Sequence, residues 1–190
     1  MTAHPISSDG EIRIRPLQMA DVDTIHDAIV ESVPEITTWE DWCHEGYRRA
    51  DTASWLHRQL EAQRRGSRRF VIEDVASGAI LGSVGLSRID ARLERATIGY
   101  WVRTSWTGRG VATRAAFLAA RFGFEQLGLV RILITAALDN TASRRVAERI
   151  GAHFEGVLHH GLMIHGEARD AALYSMTRDD LARFPSPSGA

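Results

Sequence analysis

The sequence predicts a mixed α/β domain: one sheet of about seven strands with helices on both faces. Three observations carry that prediction. Residue periodicity runs strand, two helices, three strands, helix, strand, helix, two strands along the chain. The stretch "VRILITAAL", Val130 to Leu138, is continuously apolar, as a central strand covered on both faces should be. And "TSWTGRGVATRAAFLAARF", Thr104 to Phe122, leads from a glycine-containing turn straight into an amphipathic helix.

Taken in order, the first strand is "EIRIRPL", with Ile12 and Ile14 on one face and Pro16 closing it. Asp21 precedes Val22, Ile25 and Ile29, the i, i+3, i+7 stripe of a helix. Residues 34–50 read as irregular and hold Trp39, Trp42 and Cys43. Asp51 is the expected cap of a second helix, "TASWLHRQLEAQRR", which Gly66 ends. "RRFVIEDV" and "AILGSVGLSR" read as two strands joined at Ser77-Gly78. "ATIGYWVR", Ala96 to Arg103, is a third, rich in β-formers.

The mid-chain helix should bury Val111, Ala115, Leu118 and Phe122, with Gly128 past its end. After "VRILITAAL", Asn140 or Thr141 caps a short helix to Ile150. "HFEGVLHHGLM" and "DAALYSM" form a closing hairpin, and "RDDLARF" a last short helix. Residues 11–184 are read as a single domain, with 1–10 and 185–190 as flexible ends. The helical segment 19–66 is a lid over the sheet, since no linker composition sets it apart.

The 190-residue chain carries 23 Lys plus Arg against 24 Asp plus Glu. That balance gives no field to draw nucleic acid or an anionic membrane. Its one cysteine, Cys43, cannot form an internal disulfide. No apolar run approaches the roughly 20 residues of a membrane span, and "MTAHPISSDG" lacks the apolar core of a signal peptide. The cytoplasm is the expected location. His159, His160 and His165 lack the Cys or carboxylate spacing of a metal site, so no metal is expected. The basic run "RRGSRR" complements the dipole of the helix end on which it sits.

Thr107-Gly108-Arg109-Gly110-Val111-Ala112 lies between a strand end and a helix start. The first backbone N–H groups of a helix have no internal partner, and the macrodipole adds partial positive charge there. Glycines at 108 and 110 leave no Cβ in the way of a ligand. The turn can therefore hold a phosphate or diphosphate, or can be a plain strand-to-helix turn. No Gly-Lys-Ser/Thr follows, which excludes a P-loop. The third glycine of a dinucleotide fingerprint is missing, with Thr113 in its place.

With "LDNTASRRVAERIGAHFEG" (Leu138 to Gly156), the turn resembles the GNAT superfamily of acyl-CoA-dependent N-acetyltransferases. Within it the chain is most similar to the RimJ/RimL branch, which acetylates the N-termini of ribosomal proteins. The resemblance runs from "IRIRPL" to "LYSMTRDD" and is dense from Ala96 to Met176. It implies a GNAT-like, mostly antiparallel sheet. The family's phosphate loop reads Gln/Arg-x-x-Gly-x-Gly/Ala. Here Gly110 and Ala112 hold the glycine positions and Thr107 replaces the Gln/Arg.

The resemblance implies that the amides of Gly108, Arg109, Gly110, Val111, Ala112 and Thr113 hold the pyrophosphate of coenzyme A. Arg109 and Arg114 are either in reach of its phosphates or simply solvated. "ATIGYWVR" matches the strand that splays from "VRILITAAL". The pantetheine arm should pair with backbone at Tyr100, Trp101 and Val102, the acyl oxygen facing an amide near Val102. Asn140 and Ser143 match the branch's Asn-x-x-Ser, Asn140 bonding to the pantetheine arm or capping its helix.

Many superfamily members place a Tyr seven residues after the Asn to serve the leaving thiolate. That position is Ala147 here, so Ser143 is the implied hydrogen-bond donor to sulfur. The branch's catalytic Glu would fall near Leu162 or Met163, where no carboxylate stands. His159 and His160 lie on that strand and should face opposite sides, which makes His160 the candidate base, or a surface histidine. Trp39 and Trp42 either wall the acceptor site or close a small core. Acetyl-CoA is the implied cosubstrate. The acceptor is a primary amine, best the N-terminal α-amine of a protein or peptide. A small amine (amino acid, polyamine or antibiotic) and a non-catalytic acyl-CoA-binding module are the alternatives, in a monomer or homodimer.

Overall fold

Ile12 and Ile14 alternate with arginines and turn inward, while Phe70 and Ile72 on the neighbouring strand face the same side. That alternation organises the whole sheet. The computed structural model describes residues 7–183. The strands are β1 (Ser7–Ser8), β2 (Ile12–Pro16), β3 (Arg68–Asp74), β4 (Ile80–Asp90), β5 (Arg95–Val102), β6 (Arg131–Ala137), β7 (His153–Ile164) and β8 (Glu167–Thr177). They form one sheet in the order β1-β2-β3-β4-β5-β6-β8-β7. Every neighbour pair is antiparallel except β5 with β6, which is parallel. The helices are α1 (Val22–Glu31), α2 (Val33–Trp39), α3 (Arg49–Arg64), α4 (Val111–Gln126), α5 (Thr141–Arg149) and α6 (Arg178–Arg183).

The sheet has eight strands where seven were expected. The extra one is β1, whose two residues pair with Ile14 and Arg13 of β2; it lies inside the segment read as a flexible N-terminus. Residues 1–6 and the tail 185–190 lie outside the described residues. The segment read as irregular holds α2. Pro34 sits in its first turn, where the missing N–H has no partner to lose. Asp51 does not cap α3 from outside. It lies inside the first turn, and its carboxylate accepts the N–H of Arg48 at 2.8 Å.

Two apolar clusters flank the sheet. On one face α4 and α5 cover Ile12, Ile14, Phe70, Ile72, Val84, Leu86, Ile98, Ile132 and Ile134. Here α4 buries Ala115, Ala116, Ala119 and Ala120 completely. A Cβ on Gly123 would stand 3.0 Å from the terminal carbons of Ile132 and Leu86, so α4 lies close on the strands. On the other face α1, α2, α3 and the segment before α3 cover Val71, Ile80 and Trp101 with larger side chains, including Trp55 and Tyr47. That second cluster includes no residue of β6. The strand expected to be buried on both faces therefore alternates: Ile132 and Ile134 are buried, Leu133 and Thr135 partly exposed. The helices on that side end over β5, and this leaves the open floor next to the site.

Candidate active site

Parallel strands β5 and β6 pair through Arg95↔Arg131, Ala96↔Ile132 and Thr97↔Leu133, and no further. Beyond that point β5 continues to Val102 and β6 to Ala137. Their facing edges part and leave a gap. The N–H of Arg103 donates to Leu81 of β4 at 2.7 Å. By strand alternation, the backbone groups of Trp101 and Gly99 face β4, and those of Val102, Tyr100 and Ile98 face the gap. Two of the three strand positions expected to meet a pantetheine arm, Tyr100 and Val102, thus present free backbone. Trp101 does not: its backbone serves the β4 ladder, and its indole is buried among α1–α3.

At the open end of the gap, on its β5 side, β5 runs through a short 3-10 turn (Thr104–Trp106) into the glycine turn. Gly108 and Gly110 have φ of +74° and +77°, left-handed values that favour glycine. A Cβ on Gly108 would meet nothing within 4 Å. Gly110 is the N-cap of α4, and no side chain caps that helix. The first helical bond joins the Arg114 N–H to the Gly110 carbonyl. Among the described residues, the N–H groups of Val111, Ala112 and Thr113 have no partner. Thr107 turns its hydroxyl back to the Thr104 carbonyl at 2.8 Å.

The two arginines of this turn have different fates. Arg109 lies over the Trp106 ring, 4.8 Å from its centroid, held at the surface beside the open amides. Arg114 is largely buried and reaches Glu11 at 2.6 Å. Its charge is engaged by the β1–β2 turn.

The glycine turn is also clamped from the opposite face. Glu31 accepts from the Ser105 N–H at 2.8 Å and from the Arg103 guanidinium. Ser32 accepts the Thr104 N–H at 2.9 Å, and the Thr104 hydroxyl donates to Glu35 at 3.0 Å. The Ser105 contacts, helped by Arg103, pull the Glu31 carboxyl down to about 2. Sequence reading missed this clamp, because its halves lie about 70 residues apart and neither resembles a motif.

On the β6 side of the same open end, α5 starts at Asn140. Its side-chain oxygen accepts the Ser143 N–H at 3.0 Å, so the capping reading of Asn140 holds. Its Nδ2 keeps two hydrogens without a partner among the described residues. The Ser143 hydroxyl lies 3.0 Å from the Tyr100 hydroxyl, which also lies 3.1 Å from the Ser143 carbonyl. Burial pushes the Tyr100 hydroxyl up to about 12, and the Ser143 bond pulls against that rise. Ala147, seven residues after Asn140, is fully buried in the α4–α5 cluster and brings no hydroxyl.

The remaining candidates stand apart. His160 is exposed on β7, and its backbone N–H, with φ +50°, donates to Asp170 at 2.9 Å. The register shift between Leu158 and Leu162 breaks the alternation that would set His159 and His160 on opposite faces. The His159 ring lies 3.4 Å from Asp170, the same carboxylate that takes the His160 backbone N–H. No hydrogen bond links His160 to Ser143 or Tyr100 among the described residues.

Trp42 joins an aromatic group with Trp55, Trp101 and Tyr47, at centroid distances of 5.4, 6.3 and 6.1 Å. It serves the core reading. Trp39, partly buried, ends α2 without joining that group. The β7–β8 turn docks beside it, where the His165 N–H donates to Asp41 at 2.6 Å. Burial raises the Cys43 thiol, which keeps it protonated and unreactive. Two shallow depressions, one beside Arg121 and one beside His57, lie away from the gap. No group of three or more potential metal ligands occurs among the described residues, and no helix there is long and apolar enough to cross a membrane.

The family described as Acetyltransferase (GNAT) domain matches residues 11–153. The chain belongs to the GNAT acetyltransferase family. YdaF of Bacillus subtilis strain 168, provisionally named a ribosomal N-acetyltransferase, is 30% identical over 172 residues, 88% of this chain and 91% of YdaF. The spermidine N(1)-acetyltransferase of Escherichia coli K12 is 28% identical, over 86% of this chain and 84% of that enzyme.

Mycobacterium smegmatis RimJ, solved with a CoA disulfide, superposes with a TM-score of 0.81 at 28% identity, covering 94% of this chain and 88% of RimJ. RimL, a ribosomal L7/L12 α-N-protein acetyltransferase solved with coenzyme A, superposes at 0.83 over 94% of this chain and 99% of RimL; at 20% identity it shows the fold alone. The GNAT fold and the likeness to the RimJ/RimL branch are both established, and the chain is an N-acetyltransferase by family.

Proposed function

We propose that this GNAT domain transfers the acetyl group of acetyl-CoA to a primary amine by direct attack, with the N-terminal α-amine of a protein or peptide as acceptor. The observation that carries the reading is the parting of β5 and β6 after three paired positions, with the open amides of α4 on one side of the gap and Ser143 on the other. The pyrophosphate of acetyl-CoA meets the amides of residues 108–113, and Arg109, stacked on Trp106 beside them, adds positive charge. The pantetheine arm lies along the free backbone of Tyr100 and Val102 and meets the Asn140 amide. The Val102 N–H faces the thioester oxygen and stabilises the charge that develops on it. Ser143 donates a hydrogen bond to the departing sulfur.

The acceptor enters from the α1–α3 face, over the floor of Thr97, Gly99, Leu133 and Thr135, all partly exposed. Trp39, partly exposed at the end of α2, is the proposed aromatic contact for the acceptor. No carboxylate or histidine is bonded to the Tyr100–Ser143 pair among the described residues. That absence of a base at the pair favours an amine that is already partly neutral. An α-amine, with pKa about 7.7–8.0, is roughly a quarter neutral near pH 7.4, whereas a lysine amine near 10.4 is about 0.1% neutral. The difference is about 3.4 kcal/mol of deprotonation work. A polyamine acceptor is the second reading, favoured by the E. coli spermidine acetyltransferase among the relatives and by the acids Glu40, Asp41 and Glu45 after α2.

The test begins with melting temperatures in acetyl-CoA, ATP and NAD at equal concentration. A ligand at about 100 times its Kd adds roughly 2.7 kcal/mol, a rise of roughly 5–10 °C for a domain of this size. Acetyl-CoA alone should give it; a rise with ATP or NAD instead rejects the reading. Thiol release is then followed with a free N-terminal peptide, an N-blocked lysine peptide and spermidine. The chain contains no lysine, so ε-amine self-acetylation cannot contribute to the signal. Turnover with spermidine alone moves the assignment to the second reading.

A further inference from the structure

The geometry points to Tyr100 as a positioning residue for the leaving-group step: its hydroxyl holds the Ser143 hydroxyl so that Ser143's own hydrogen is directed to the sulfur. This rests on the acetyltransfer reading above and deepens it at one bond.

The Tyr100 hydroxyl has one hydrogen and two acceptors in reach, the Ser143 carbonyl at 3.1 Å and the Ser143 hydroxyl oxygen at 3.0 Å. When that hydrogen goes to the carbonyl, the close contact between hydroxyls requires Ser143 to donate to Tyr100, and nothing is left for a substrate. When it goes to the Ser143 oxygen, the Ser143 hydrogen is released. Rotation of two hydroxyls interconverts these states without moving a heavy atom. Charge developing on a sulfur beside Ser143 favours the second state, because only then does the sulfur receive a charge-assisted hydrogen bond. The Asn140 cap holds the Ser143 backbone at 3.0 Å from the other side, so both ends of Ser143 are fixed.

Burial of Tyr100 works against a proton relay through its hydroxyl. A coenzyme thiol has an ordinary value of about 8.5, and burial holds the Tyr100 hydroxyl at about 12. Passing a proton from that phenol to a thiolate runs uphill by about 3.5 units. The pair therefore donates a hydrogen bond and keeps its protons. In the step, the amine nitrogen attacks the carbonyl carbon and the C–N bond forms. The tetrahedral oxyanion collapses, the C–S bond breaks, and its electron pair goes to sulfur. The thiolate leaves bonded to Ser143, and the proton that converts it to thiol is the one the amine nitrogen gives up, passed through solvent.

The experiment is a double-mutant cycle in the full chain with Tyr100→Phe, Ser143→Ala and both together. It uses acetyl-CoA and a free N-terminal peptide, reading thiol release. Phenylalanine keeps the ring that packs against the α4–α5 cluster, and melting temperatures verify that each variant folds. Tyr100→Phe should lower kcat about three- to tenfold with the KM for acetyl-CoA unchanged. In the Ser143→Ala background it should change nothing, since there is no hydroxyl left to orient. An equal loss in both backgrounds overturns the proposal, because Tyr100 then acts without Ser143. So does full activity in Tyr100→Phe. If Ser143→Ala itself keeps full kcat, the Ser143 assignment fails first. If wild type releases no thiol while binding acetyl-CoA, the acetyltransfer reading fails. Those two outcomes are distinct from an independent effect of Tyr100.

Discussion

Two helix N-termini flank the gap between β5 and β6, and they are finished in opposite ways. Helix α4 starts from Gly110 in a left-handed conformation, with no side chain capping it. Helix α5 starts from Asn140, whose side-chain oxygen already takes the Ser143 N–H. Both termini carry the same partial positive charge from aligned peptide dipoles. One has no side chain over its first amides; the other is satisfied within the chain, and the bond that satisfies it fixes a serine. A helix end can thus serve as a receptor or as a mount, and the N-cap residue decides which.

The largest expected effect comes from making the first end resemble the second. Gly110→Asp puts a carboxylate over the open amides of α4, where it competes with the pyrophosphate. An anion at a helix start is worth up to about 2 kcal/mol, so the KM for acetyl-CoA should rise by up to about 30-fold, while the left-handed φ at position 110 lowers the Tm of the unliganded protein by roughly 2–5 °C. Steady-state kinetics and melting of the free protein check both halves. An unchanged KM would mean that the two ends do not differ in function.

Removing the cap from the second end is the intermediate case. Asn140→Ala should destabilise the fold by about 1 kcal/mol, roughly 2–4 °C in Tm. It should also lower kcat, because Ser143 loses its anchor. Asn140→Asp keeps a capping oxygen and should restore most of the Tm without the Nδ2 hydrogens. Thermal melts of the three proteins separate capping from any role toward the pantetheine arm.

The smallest effect concerns the clamp behind the first end. The Glu31 carboxyl lies well below its ordinary 4.5, at about 2. A depressed value contributes stability that is present above about 4.5 and is lost as pH falls toward about 2. Glu31→Gln removes that contribution. The Tm gap between wild type and variant should be greatest near neutral pH, at most about 2 °C for so exposed a group, and should close by about pH 2. Melts across that range measure it, and a gap that widens in acid would contradict the assignment.

Much of this site was legible in the chain because its parts are local. The glycines at 108 and 110, the stripe from Val111 to Leu118 and the Asn140–Ser143 spacing each sit within one or two turns of backbone. Neighbouring residues set left-handed turns, helix faces and caps. Strands β2 to β8 were legible for the same reason, since pleat alternation needs only a short window. The two-residue β1 was too short for that. Helix α2 was hidden by Pro34 and the adjacent threonines Thr37 and Thr38, residues of low helix propensity that tertiary packing overrides through buried Ile36.

By itself, then, the sequence determined an α/β domain, the acetyltransferase resemblance and an anion-ready turn. Only the tertiary structure decided what each side chain touches. It gave Arg114 to Glu11 and left Arg109 over Trp106. It turned Trp101 into the α1–α3 core and freed the backbone of Tyr100 and Val102. It brought Tyr100 to Ser143, 43 residues on. A hydrogen bond or ion pair depends on positions to within a few tenths of an ångström, and across that many residues the path of the folded chain sets those positions.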